Sequence, residues 1–532
     1  MALHPKPDLI LSGVRLFPGT IPATGEPQAV AILGSRIQAI GSERDISNMA
    51  GPDTRRIPCD NKWLLPAFTD AHTHLCTYAA RKLQIDLTTC QSLSEALNLI
   101  RKKVEKTPEN TWIIGGGWDR NRWGMARFPD KEMLDEISRR HFIVMQSKDW
   151  HSLWVNSNVL KICQISAASQ DPAGGKILRM ADGEPSGILQ EKACDQIWVS
   201  LRPLPLGELE PALQSTFSEC HQLGITGIHS VETPYDFSHY QCLYGEQKLG
   251  LRVFWYFPAA FLKDSEGPFQ RRSGNSFLKI CGVKLFADGS LGSQTAHMLS
   301  PYQGSEDLGV ATLAPEEIAA IIRHSTDLNL NCAVHAIGDA ANRIVLDGYQ
   351  AVAAESRQAG LRHRIEHVQL LHPDDLSRLA ELDVIASVQP SHLAADTDMI
   401  ERHWGARGRL AYAFASLQQS GARLIFGSDT PIETFDPWKA LYSAVARKPL
   451  FDPTRPGFCP EQAVTLQDAI LAYTSGPAYA AFEENNLGSI APGKLADLIL
   501  IDRDIFAQPA EALLETRVQL TLQNGNIVHE DM

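Results

Sequence analysis

Short apolar runs alternate with helical patterns through the middle of the chain, and this alternation constrains the fold more than any other feature. The runs are Leu64–Ala71, Ile225–Ile228, Leu251–Tyr256, Val283–Phe286, Cys332–Val334, Arg364–Val368, Val384–Val388 and Arg423–Phe426. The stretches Pro315–Asp327 and Pro373–Leu382 between them each open on proline with acidic residues in the first turn, which predicts helices. Strands alternating with helices imply parallel strands joined by crossovers. Eight candidate strands are enough for an α/β (β/α)8 TIM barrel. A doubly wound open sheet is the competing arrangement.

Both ends read differently. Asp8–Ser12, Ala29–Leu33 and Arg36–Ile40 are short strand patterns punctuated by Gly and Pro. Leu495–Ile501 and Val518–Leu522 match them at the other end, and Asn524 and Gly525 form a hairpin signal before Ile527 and Val528. These patterns predict one composite β-sandwich from residues 1–62 plus 485–532, rather than two unrelated edge hairpins. The barrel then occupies 63–484. Residues 77–205 break its spacing and are too long for one crossover, which predicts an inserted α+β subdomain.

Of the 532 residues, 49 are Lys or Arg and 62 are Asp or Glu, a net charge of -13. That balance argues against a nucleic-acid partner. The 10 cysteines are sparse and form no Cys-x-x-Cys pair, so thiolate zinc sites are not expected and reduced thiols in a cytoplasmic setting are. The N-terminus lacks a signal-peptide pattern, and no stretch approaches 18 apolar residues, so no membrane association is expected.

The chemistry-bearing residues cluster at predicted strand ends. His72 and His74 are two apart, a spacing that places both side chains on one face of a strand. His335 follows Val334, His367 ends Arg364–His367, Lys284 lies inside a run expected to be buried, and Asp429 follows Leu424–Ser428. Singly, each has a plain structural reading: a core histidine, a snorkelling lysine, a turn-capping aspartate. In a barrel the C-terminal strand ends form one rim, and all would meet there. His363, Glu366 and His367 also match an inverted zinc-peptidase pattern, but that chemistry needs a helix and this segment reads as a strand.

The segments Thr69–His74, Val283–Gly289, Val334–Asp339, Arg364–His367 and Phe426–Pro431 together resemble the amidohydrolase superfamily. With Gly116–Asp119, Trp150–Ser157, Asp171–Gly175, Asp182–Gly187 and Leu487–Leu498, the chain is similar to the amidohydrolase-3 branch, which contains N-substituted formamide deformylases. The resemblance implies one or two divalent ions, zinc the leading choice, with His72 and His74 at the first and His335 and His367 at the second. It implies a CO2-derived carbamate on Lys284 bridging them and Asp429 as acid/base. Asp119 and His151 of the insert are expected substrate contacts, as is Trp118, for which a place in the insert's own core is an equal alternative. The implied reaction is hydrolysis of a non-peptide C–N bond in a small amide or formamide, with a homodimer left open. A deaminase and an inactive regulatory homologue are the alternatives. One departure is Pro66-Ala67, where the family has Pro-Gly and more backbone freedom.

Overall fold

The computed structural model describes residues 5–17, 28–200, 205–263, 273–450, 452 and 454–532. Residues 1–4 and 18–19 of the segment read for a signal peptide, and 201–204 of the expected insert, lie outside these. Eight parallel strands form the barrel: β1 (Phe68–Thr73), β2 (Ile225–Ser230), β3 (Arg252–Pro258), β4 (Leu278–Phe286), β5 (Asn331–Ala336), β6 (Arg364–His367), β7 (Ile385–Val388) and β8 (Leu424–Phe426). Neighbours in sequence are neighbours in the sheet, and a parallel Thr73–Thr430 bridge draws the last strand to the first. Among the described residues no helix is long and apolar enough to cross a membrane.

Two predicted elements need correction. The run Leu64–Ala71 divides at Ala67. Leu64–Pro66 pairs antiparallel with Leu498–Leu500, whereas Phe68 donates its N–H to Gly224 at 2.9 Å and starts β1. Ala67 donates to Asp497 at 2.9 Å and is not at positive φ, so this junction has no need of glycine. The expected helix Pro373–Leu382 is a 3-10 turn, Pro373–Asp375, followed by a short helix, Arg378–Glu381. Asp375 is drawn inward between Arg343 (2.9 Å) and Arg378 (3.0 Å), which accompanies the break. Pro315–Asp327 is helical as expected.

The two termini share one seven-stranded sheet, in the order Asn526–Glu530, Val518–Gln523, Leu498–Ile501, Arg55–Pro66, Leu9–Leu16, Gln28–Leu33, Arg36–Gly41. Strand alternation sorts its side chains between two layers. Leu498 and Leu500 pack with Leu9, Leu11, Leu64 and Leu520, while Ile499 and Ile501 join the barrel's core. Burying each such side chain contributes about 1.5–3 kcal/mol. Asn524 and Gly525 both have positive φ (53° and 78°), as a tight hairpin turn requires. A buried ion pair clamps sheet to barrel: Arg252 of β3 holds Asp497 through Nε (2.7 Å) and Nη2 (2.9 Å). The same carboxylate accepts the Asn524 N–H at 2.8 Å.

The insert carries a six-stranded mixed sheet running from Ile85 to Glu191, with a hydrophobic cluster on each face. It folds over the barrel mouth. Asp149 accepts from Ser290 (2.7 Å) and Ser293 (2.6 Å) in the segment after β4, and Lys148 pairs with Glu433 after β8.

Candidate metal centre at the barrel mouth

Local backbone irregularities aim the side chains. Ile228 opposes Asp70 and Ser230 opposes Thr73, so β1 carries one extra residue where His72 sits. Such a bulge re-aims a side chain. In β6, Arg364 and Glu366 reach across the barrel, and Ile365 packs into the hydrophobic cluster on the other face. Simple alternation would send His367 the way of Ile365, but its φ of 78° turns it out of that register. Asp429 likewise sits at φ 58°. Non-glycine residues in this region cost about 1–3 kcal/mol and cluster at functional sites. Gly427 has a steric role: a Cβ there would fall 2.5 Å from the His72 backbone nitrogen.

The resulting constellation is tight. Asp429 Oδ1 lies 3.3 Å from His72 Nε2 and 3.2 Å from His74 Nε2. Ligating atoms of His72, His367 and Asp429 all lie within 4.8 Å of one another. The His335 and His367 ring centres are 4.4 Å apart, and those of His72 and His367 are 5.2 Å apart. Lys284 is 3% exposed and lines the same cavity.

Electrostatics suit a cation. Burial holds His72, His335 and His367 below the usual imidazole range, so they present neutral lone pairs. Burial acts to raise Asp429, but His72, His74 and His367 around it outweigh burial and keep it well below the usual carboxylate range. Burial pulls Lys284 down to about 8 against the opposing pull of Glu366 and Asp429. Each of two histidines has one nitrogen engaged, His72 Nδ1 by Glu366 at 2.6 Å and His335 Nε2 by the Gly289 carbonyl at 3.0 Å, which leaves the other free. His367 Nδ1 is buried without a partner. Neutral imidazoles, an ionised carboxylate and an orphaned buried nitrogen fit a divalent metal ion.

The cavity over this cluster has a volume of about 1340 Å³. Ordinary small-molecule sites run to roughly 300–1,000 Å³, so this one has room for a bulky substituent. His151 reaches in from the insert, its ring centre 5.4 Å from that of His335. Burial would lower its pKa, but Glu191, 2.9 Å from Nδ1, and Asp149 outweigh burial and raise it to about 9. Asp119 lines the wall while its carboxylate caps a turn through the Asn121 N–H (2.8 Å). Trp118 is 2% exposed and edge-on to Phe128 and Trp154 in the insert core, with only part of it on the cavity wall.

Sequence reasoning missed three neighbours. His392 Nε2 is buried, has no hydrogen-bond partner and lies 3.7 Å from Asp429 Oδ2. It follows β7, so the strand-end rule that singled out the other histidines could have found it. Trp150, at φ 70°, packs its ring 4.9 Å from His74. Glu366 lay within the Arg364–His367 segment and a discarded peptidase pattern, but neither gave it a role. That pattern fails here because residues 364–367 are a strand, with His363 bonded instead to Ser356 (2.9 Å) and the Cys332 N–H (3.0 Å).

The comparisons agree with this architecture. The chain is 31% identical over 490 residues to Protein LONG AFTER FAR-RED 3 of Arabidopsis thaliana, covering 89% of this chain and 83% of the relative. It is 26% identical over 521 residues to the N-substituted formamide deformylase of Arthrobacter pascens, covering 94% and 95%. The crystal structure of an uncharacterized metal-dependent hydrolase from Pyrococcus horikoshii superposes with a TM-score of 0.75 at 25% identity, covering 94% of this chain and 99% of that one. The amidohydrolase family profile matches residues 57–529, from the terminal-sheet strand Arg55–Pro66 through the whole barrel to the terminal-sheet strand Asn526–Glu530, and the chain belongs to that family of metal-dependent hydrolases.

Proposed function

We propose that this amidohydrolase cleaves the C–N bond of an N-substituted amide or formamide, with a divalent ion, zinc by preference, held by His72, His74, His335 and His367. The observation that carries the reading is the convergence of four imidazoles and Asp429 under an insert-covered cavity. Similarity to a formamide deformylase supports the bond type. The bound ion would lower the pKa of water to near 7 and polarise a carbonyl. Asp429 takes the proton of the attacking water and hands it to the leaving nitrogen. The insert excludes solvent, with His151, Asp119 and the cavity-lining part of Trp118 as substrate contacts. Lys284, with its amine brought down to about 8 by burial, has a free-base fraction that would add to CO2 with release of one proton, and the resulting carbamate would supply an anionic oxygen ligand.

The test is metal analysis joined to assays of a panel of N-formyl, N-acetyl and cyclic amides, with an aromatic amidine run beside them. Carboxylate release from an open-chain member supports the proposal. Ammonia release from an aromatic amidine with no carboxylate release would replace it with deamination. A second expectation concerns the ligands. His72→Ala should lose bound zinc along with turnover, and an unchanged zinc stoichiometry would remove His72 from the ligand set.

A further inference from the structure

We infer that Glu366 is a positioning residue for the metal centre, fixing the tautomer of His72, and that Arg364 fixes the polarity of Glu366 in turn. The inference rests on the metal-site reading above and adds residues that touch no ion. Glu366 is fully buried, with Oε2 2.6 Å from His72 Nδ1. A carboxylate of this kind only accepts, so Nδ1 carries the hydrogen and Nε2 keeps its lone pair. Nε2 is the nitrogen that faces the cavity side, 3.3 Å from Asp429. Carboxylate partners of this sort orient metal-binding imidazoles and set their tautomer.

A bare carboxylate at this depth would be costly, and Arg364 supplies the countercharge. Its Nε lies 2.5 Å from Glu366 Oε1, and its guanidinium rests 4.0 Å over the Tyr256 ring. Arg364 Nη1 lies 2.9 Å from His229 Nδ1. Arginine only donates, so His229 Nδ1 accepts. A buried polar chain thus runs from His229 on β2, through the Arg364–Glu366 ion pair on β6, which is a charge contact rather than a hydrogen bond, to His72 on β1.

This polarity makes a specific prediction for Glu366→Gln. Arg364 would claim the new amide oxygen and leave the NH2 group facing His72 Nδ1. His72 would then have to accept at Nδ1 and carry its hydrogen on Nε2, where the lone pair is needed. Zinc affinity of the variant, read by competition with a chelating indicator, should fall about 10–100-fold. Adding Arg364→Met frees the amide to turn its oxygen to Nδ1, so the double variant should bind zinc more tightly than Glu366→Gln alone. A purely structural ion pair predicts the opposite order. Folded Glu366→Gln protein with wild-type zinc affinity would overturn the inference.

Should the variants fail to fold, nitrogen-15 spectroscopy of histidine-labelled, zinc-free wild-type protein decides the matter. Hydrogen on His72 Nδ1 supports the assignment, and hydrogen on Nε2 refutes it. If the wild-type chain binds no metal, the functional reading falls, while the tautomer measurement still judges Glu366.

Discussion

Asp429→Asn is expected to lower kcat by about 10²–10⁴-fold, the usual worth of a positioned acid/base, with metal content unchanged. The two arms of the carboxylate face different partners. Oδ1 looks toward His72 and His74, where water would be deprotonated, and Oδ2 looks toward His392 on the open side. Asparagine keeps the shape, and its oxygen can occupy the Oδ1 position, so the surroundings need not rearrange. It cannot take up a proton. Kinetics on whichever panel amide responds, together with elemental analysis of the same sample, separate these effects. A variant that turns over at the wild-type rate would remove Asp429 from proton transfer. Loss of metal together with rate would show that Asp429 acts as a ligand.

Asp497→Ala carries the largest expected cost in stability, about 3–5 kcal/mol. Arg252 is 1% exposed and would be left as an uncompensated buried cation, and the Asn524 N–H would lose its acceptor. The damage should be local at first, because Asp497 ties β3 to the strands Leu498–Ile501 and Val518–Gln523. Hydrogen exchange reads such local opening, and amides of those strands should lose protection by about 10²–10³-fold. Replacing both partners with apolar residues of similar volume should recover most of the loss. Unchanged protection in the single variant would mean that the pair contributes little.

The barrel was legible because its strands are buried on both faces and stand out as apolar runs. Seven of the eight runs overlie the observed strands closely, and the eighth, Leu64–Ala71, straddles two sheets. Arg55–Pro66 was not legible as a strand. Asp60 and Asn61 both take positive φ, and the ladder to Leu9–Leu16 jumps from Ser12–Pro58 to Val14–Lys62, so no period-two pattern survives. Similar limits applied at the site. His72, His74, His335 and Asp429 announced themselves by lying at strand ends. The turning of His367 out of its register, and the reach of Glu366 from β6 to β1, depend on backbone angles and cross-barrel distances that a linear pattern does not contain.

The shared terminal sheet has a consequence for synthesis. Leu64 pairs with Leu500, so one of these two neighbouring strands leaves the ribosome long before the other. At roughly 5–20 residues per second the interval is on the order of 20–90 s. Throughout it, the edge of Arg55–Pro66 stands open beside the apolar side chains Leu9, Leu11 and Leu64, a ready template for pairing with another nascent chain. The fold therefore leaves an unpaired strand edge open during synthesis, and soluble yield should fall when a chaperone able to cover Arg55–Pro66 in that interval is depleted.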